Sequence, residues 1–268
     1  MTISRSERLA VPIVSRENMM RLRLTVAWLA LLAGNAQAAG FALIEQNASG
    51  LGNAYAGQAA AAEDASTIFF NPAGMTRLGG KQLLAAAHAI LPSAKFSDTG
   101  SNNAPTQTEF GGNGGDAGTT ALVPNVYFTM PLGKGITGGL GISAPFGLVT
   151  EYDNTWVGRF HAVKSDLKTI NINPSLAFKA NDAWSVGFGI NAQQAKAELS
   201  KMANYGALVA DSEGLAIVEG DDWGWGYNLG VLFEPRPDVR VGFSYRSKVD
   251  YELEGTVTYT NHPALAGC

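Results

Sequence analysis

Between positions 223 and 233 the odd residues Trp223, Trp225, Tyr227, Leu229, Val231 and Phe233 are large and apolar, and Gly224, Gly226, Asn228 and Gly230 lie between them. Successive side chains of an extended chain point to opposite faces, so this pattern predicts a strand with one apolar face and one small, polar face. The same period recurs in Leu122, Pro124, Val126, Phe128 and Met130, in Ile170, Ile172, Pro174, Leu176 and Phe178, and in Val186, Phe188 and Ile190 alternating with Gly187, Gly189 and Asn191. A period of two rather than 3.6 predicts strands near 81–96, 121–132, 136–152, 166–180, 183–202, 222–234 and 239–259.

The connections alternate as well. They are tight at Gly133-Lys134-Gly135, Asn181-Asp182 and Pro235-Arg236-Pro237-Asp238, and long over 97–120, 153–165 and 203–221. Short turns at one end and long loops at the other are the habit of a transmembrane antiparallel β-barrel, with the long loops outside the cell. In that geometry Tyr152, Trp156, Trp184, Trp223 and Trp225 near strand ends are expected in the aromatic girdles. A soluble antiparallel sandwich is the competing architecture, but its second face would rarely need so many Gly and Asn. Pro124 and Pro174 cannot donate to a ladder, so each is expected at an irregularity or near a strand end. Ala144-Pro145-Phe146-Gly147 interrupts the third strand, where the missing donor and missing side chain predict a bulge. That bulge is either an ordinary one at the membrane edge or a gap in the wall.

Composition and targeting narrow the class. Met20-Arg-Leu-Arg, an apolar run over 24–33 and Ala36-Gln37-Ala38 read as an export signal, so residues 1–38 are an upstream extension plus signal peptide, with Met19 or Met20 as an alternative start of translation. The run is too short for a permanent membrane helix. Cleavage after Ala38 would remove five arginines and two glutamates and move the formal charge from -4 to -7, which argues against nucleic acid as a partner. The 1 cysteine, Cys268, excludes an internal disulfide, and His88, His161 and His262 are scattered, so no metal, cofactor or catalytic residue is expected. Gly-x-Ser-x-Gly is absent, which weighs against a lipase or esterase.

Residues 39–80 lack strand alternation. This small-residue-rich run, with apolar Phe41, Leu43, Ile44, Leu51, Ile68, Phe69 and Phe70, suits a hatch, or plug, inside a barrel whose wall would occupy 81–268. Asn71 is the residue expected to hold the plug by side-chain hydrogen bonds, with Pro72 fixing the backbone before Ala73. Gly50-Leu51-Gly52 follows no strand and does not make a nucleotide loop.

The run from Gly40 to Leu78, with Glu45-Gln46-Asn47-Ala48-Ser49-Gly50-Leu51-Gly52 and Asn71-Pro72-Ala73, resembles the N-terminal hatch of the FadL/TodX family of outer-membrane transporters for long-chain fatty acids and other hydrophobic compounds. Val123-Pro124-Asn125, Phe146-Gly147-Leu148, Thr150-Glu151-Tyr152, Asn181-Asp182-Ala183-Trp184-Ser185, Trp223-Gly224-Trp225-Gly226 and Ser244-Tyr245-Arg246-Ser247 extend the resemblance along the chain. It implies passive uptake in the Gram-negative outer membrane: cargo docks among the loops, moves to a pocket against the hatch and leaves sideways through the kink at Pro145, Phe146 and Gly147 into lipid. The partners it implies are a fatty acid, alkane or arene and outer-membrane lipid, with the protein as a monomer. Where the family places an arginine after the fifth strand this chain has Lys201, the candidate partner for a carboxylate, and a point charge rather than a planar fork leaves room for uncharged aromatic cargo. The remaining alternative is a general polar porin. Family barrels have about fourteen strands against about seven read here, so the chain is expected to cover about the first half of the barrel.

Overall fold

The computed structural model describes residues 41–261 apart from 106 and 108, so the expected leader, His262 and Cys268 lie outside the described residues. The strands are β1 (Gln82–Ile90), β2 (Ala121–Gly133), β3 (Ile136–Ser143), β4 (Gly147–Glu151), β5 (Lys164–Lys179), β6 (Trp184–Asn204), β7 (Glu213–Arg236), β8 (Val239–Arg246) and β9 (Glu254–Tyr259). All pair antiparallel in one sheet of order β1-β2-β3-β5-β6-β7-β8. β4 continues β3 along β5, and β9 continues β8 along β7. The sheet therefore has seven positions, a half-barrel, although the third and last expected strands are each broken in two.

Alternation sets the orientation, and it is the inverse of a soluble protein. Along β2, β5 and β6 the apolar residues are the exposed ones, Leu122 at 71% for example, and the polar ones are buried, with Asn171 at 0%. An outward row of apolar side chains costs little only against hydrocarbon. From Ile170 to Phe178 the outward apolar series of β5 spans nine residues, or eight steps, about 26 Å along the strand, or roughly 20 Å of membrane at the usual tilt.

Two expectations need correction. The 203–221 loop shrinks to 205–212, because β6 and β7 stay paired as far as Asn204↔Glu213. Charged outward positions there hide the period from a hydrophobicity reading, while the backbone ladder needs no apolar side chain. Trp156 does not join a girdle. It is buried among the outer loops, stacked on Tyr152 at 4.0 Å with Phe96 edge-on at 5.4 Å, and its indole N–H donates to the Ala162 carbonyl. Trp184, Trp223 and Trp225 do face outward. The prolines follow expectation: Pro124 pairs only with β1, and Pro174 stands where the β5–β6 ladder lapses between Ile172↔Ala192 and Ser175↔Gly189.

The segment 41–80 lies against the inward face. It comprises 3₁₀ turns at Leu51–Asn53 and Pro72–Arg77 and one-turn helices at Gln58–Ala61 and Thr67–Phe70. Its Ala65, Ile68 and Met75 meet Tyr127 and Ala177 of the wall in a small apolar core. Gly187 and Gly230 let the two layers touch: a Cβ on the first would strike Ala73 N and the Pro72 carbonyl carbon, and on the second Asn71 Oδ1. The glycines of the wet face are thus the floor on which the hatch rests.

Candidate functional site

The interruption after β3 is a one-residue bulge. Ser143 pairs with Asn171 and Gly147 with Lys168, so four steps on one strand oppose three on the other. Thr169 pins the extra residue, its hydroxyl accepting from Phe146 N at 2.9 Å and its own amide donating to Phe146 O at 3.1 Å. On the other side the β2–β3 ladder stops at Val126↔Ile142, and β4 forms no ladder with β2. The wall is consequently open between β2 and β4.

The opening is partly stitched by other segments. Leu43 N donates to Pro145 O at 2.8 Å and Gly147 N to Phe41 O at 3.2 Å, so the first described hatch residues pair with the kink like a fragment of strand. Gly118 bridges Thr150, and Glu151 N donates to Ala117 O at 3.0 Å. A cavity of about 550 Å³ remains, lined by Leu43, Ile90, Leu122, Ile142, Phe146 and Leu148 among others. Among the described residues Lys168 is the single charged one in its lining, and its ammonium is 2.7 Å from Asp166. The cavity volume and apolar walls suit a hydrophobic small molecule. Pro145 and its neighbours Phe146 and Gly147 are thereby brought to one site, with Phe146 and Gly147 in the cavity wall.

The loop strap that carries Gly118 is held by Asp116. Its carboxylate accepts from Ser93 Oγ at 2.7 Å, Ala94 N at 2.8 Å and Gly118 N at 3.0 Å. These hydrogen bonds, the Ser93 hydroxyl first, hold its pKa down to about 2.

Asn71 is fully buried at the head of the 3₁₀ turn. Its side-chain oxygen accepts from Ala73 N at 3.1 Å, and its amide donates to Ala59 O at 2.6 Å and Val231 O at 3.1 Å. Pro72 occupies the first position of that turn, where its missing N–H costs nothing. Residues not singled out in the sequence share the task. Arg240 donates to Ala60 O and Ala61 O at 3.0 and 2.6 Å. Arg246 donates to Phe69 O at 2.9 Å and lies 4.6 Å above the Phe69 ring. Asn125 donates to Glu45 O at 2.8 Å, and the Tyr127 hydroxyl to Gln46 Oε1 at 2.6 Å. The signal existed: with Val241, Phe243 and Tyr245 outward, alternation turns Arg240 and Arg246 inward.

Lys201 stands elsewhere. It pairs with Ala216 beyond the last β5–β6 partners, Lys164↔Ser200, is exposed, and does not line the cavity. His88 points into the hatch, its Nε2 3.2 Å from Asn47 O, far along the chain from His161 in the β4–β5 loop.

Residues 29–268 match the family described as outer membrane protein transport protein (OMPP1/FadL/TodX). A long-chain fatty acid transport protein of Escherichia coli O6:H1 is 34% identical over 256 residues, covering 88% of this chain and 56% of that protein. The chain thus spans little more than half the length of the curated relatives it matches. The crystal structure of a Pseudomonas aeruginosa FadL homologue aligns with a TM-score of 0.66 at 26% identity, over 81% of this chain and 56% of that one. The toluene transporter TodX of P. putida shares the fold, with a TM-score of 0.54 at 17% identity over 73% and 54% of the two chains. An inverted sheet around an inward hatch, a match over nearly the whole sequence and these neighbours lead to one conclusion: the chain belongs to the outer membrane protein transport protein (OMPP1/FadL/TodX) family of the Gram-negative outer membrane.

Proposed function

We propose that this chain takes part in passive uptake of long-chain fatty acids or similar hydrophobic compounds across the outer membrane, releasing them sideways into lipid through the opening at Pro145, Phe146 and Gly147. The observation that carries the proposal is the apolar cavity of about 550 Å³ where the wall is open between β2 and β4. Each methylene moved from water into such a cavity, and from there into bilayer, gains about 0.8 kcal/mol, so a chain of sites ending in lipid runs downhill without ATP. The 34% identical relative is a long-chain fatty acid transport protein, which favours an acyl cargo. Lys201, on the inward series of β6 near the outer rim, would meet a carboxylate at entry rather than at exit. No catalytic role is assigned.

A second reading, uptake of aromatic hydrocarbons, is favoured by one observation. The one cation in the cavity lining among the described residues is already paired with Asp166, so the cavity suits an uncharged cargo as much as an acid. Uptake of oleate and of toluene by cells expressing the gene separates the two. Oleate uptake lost on Lys201→Ala with toluene unaffected would support the acid, and unchanged oleate uptake would remove Lys201 from the mechanism. Passage of small sugars in a liposome-swelling assay would overturn both readings in favour of a polar pore.

A further inference from the structure

The outward face of the sheet continues past its apolar band. Ile170, Gln194 and Trp223 stand side by side in the ladder, and above them the outward positions become charged in rows. Lys168 neighbours Lys196, which neighbours Asp221; in the next row Asp166 neighbours Glu198, which neighbours Glu219. The long connections lie at this end, so these rows face the cell exterior. At about 3.3 Å per residue the first row is roughly 7 Å beyond Ile170, the step from acyl chains to headgroups.

Like charges directly opposite one another on neighbouring strands oppose pairing. Some of this repulsion is relieved within the sheet, where Lys164 lies 2.9 Å from Glu198 and Lys168 lies 2.7 Å from Asp166. Lys196 and Glu219 form no side-chain hydrogen bond or ion pair among the described residues, and Asp221 receives only the Gln194 amide, at 3.0 Å. A groove of about 260 Å³ runs between the two rows, walled by Asp166, Lys168, Lys196, Glu198, Glu219 and Asp221.

We propose that this groove docks the phosphorylated headgroup of an outer-leaflet lipid together with the divalent cations that bridge such headgroups. Lys196, which has no ion pair in the sheet among the described residues, supplies its ammonium to phosphate oxygens. Lys168 joins it once a bridging cation replaces its ammonium at Asp166, and Glu219 and Asp221 share the cations. A lone anion is disfavoured, because four carboxylates face two lysines along the groove; a layer of phosphate and divalent cation matches both signs. Contiguity selects a lipid, since a molecule whose tails lie against Ile170 and Trp223 has its head at Lys168 and Lys196.

The probe is purified lipopolysaccharide with magnesium chloride, added to detergent-solubilised protein whose folding is checked by heat-dependent gel mobility, with retained lipid counted by native mass spectrometry. Retention should require magnesium and vanish with EDTA. In Lys168→Gln/Lys196→Gln it should fall by roughly thirtyfold, in Glu219→Gln/Asp221→Asn it should lose its magnesium dependence, and Lys168→Arg/Lys196→Arg should keep it. Equal retention by wild type and the Gln pair overturns the proposal. So does retention by wild type in EDTA, a result that stands even if the Gln pair fails to fold, and so does equal retention of phosphatidylethanolamine.

Discussion

Asn71 shows how much one side chain is asked to do. It serves three backbone groups, one of them on β7, and the side chain that serves them is itself fully buried. Asn71→Ala leaves those groups short of a partner, at a cost of about 1–3 kcal/mol, and is expected to loosen the hatch: faster protease cleavage within 54–78 and a rise in sugar leak through reconstituted protein. Gly230→Ala tests the same contact from the wall, because its new Cβ falls on Asn71 Oδ1; a variant with an unchanged cleavage pattern would contradict the close fit. Asp116 makes a pH prediction. Its carboxyl is held at about 2, below the ordinary value of about 3.9, so its contribution is present above about pH 4 and lost as pH falls toward 2. Pepsin cleavage within 92–118 is expected to rise over that interval in wild type and to be high already at pH 4 in Asp116→Asn. A flat profile in wild type would remove Asp116 as the anchor of the strap.

At the scale of elements the interrupted third strand matters most. Pro145 and Gly147 announced an irregularity, but the sequence left open whether it was an ordinary bulge or a gap. Pairing favours the gap proposed above, since β4 keeps β5 and forms no ladder with β2. A Cβ on Gly147 would sit 3.2 Å from Leu43 Cδ1, and valine adds two methyl groups beside it. Gly147→Val should therefore slow transport of a hydrophobic cargo; normal transport would count against side exit. The break between β8 and β9 had no such announcement. Nothing in Ser247-Lys248-Val249-Asp250 lacks a donor, and the chain leaves the ladder there while Ser247 Oγ replaces a backbone partner at Tyr227 N. The hatch's local turns were equally illegible, because its conformation follows the wall it lies on rather than any period of its own.

For the whole molecule, strand period and turn lengths carried nearly everything about the sheet: seven positions, antiparallel order and which face is apolar. They carried less about the interior, since Asn125 is buried with its amide on Glu45 O of the hatch, while Asn171 and Asn191 bond to each other and onward to Asn228 and Arg246 on strands distant in the chain. They also could not bring the kink and Lys201 to a common place, because distance across a curved sheet is not encoded in spacing along it. An apolar exterior of this extent has a plain consequence in fractionation: the processed product should sediment with outer membranes and need detergent for release. Recovery as a soluble periplasmic monomer would invert the assignment of the two faces.

The bond from Asn71 to Val231 joins residues 160 positions apart, and Asn228 reaches back to Ile68 over the same separation. Arg240 grips residues 180 and 179 positions earlier. Contacts so distant along a polypeptide form late. The stopper emerges first yet is seated last, so whatever escorts the nascent chain to its membrane carries an unlatched cork until β7 and β8 arrive to lock it.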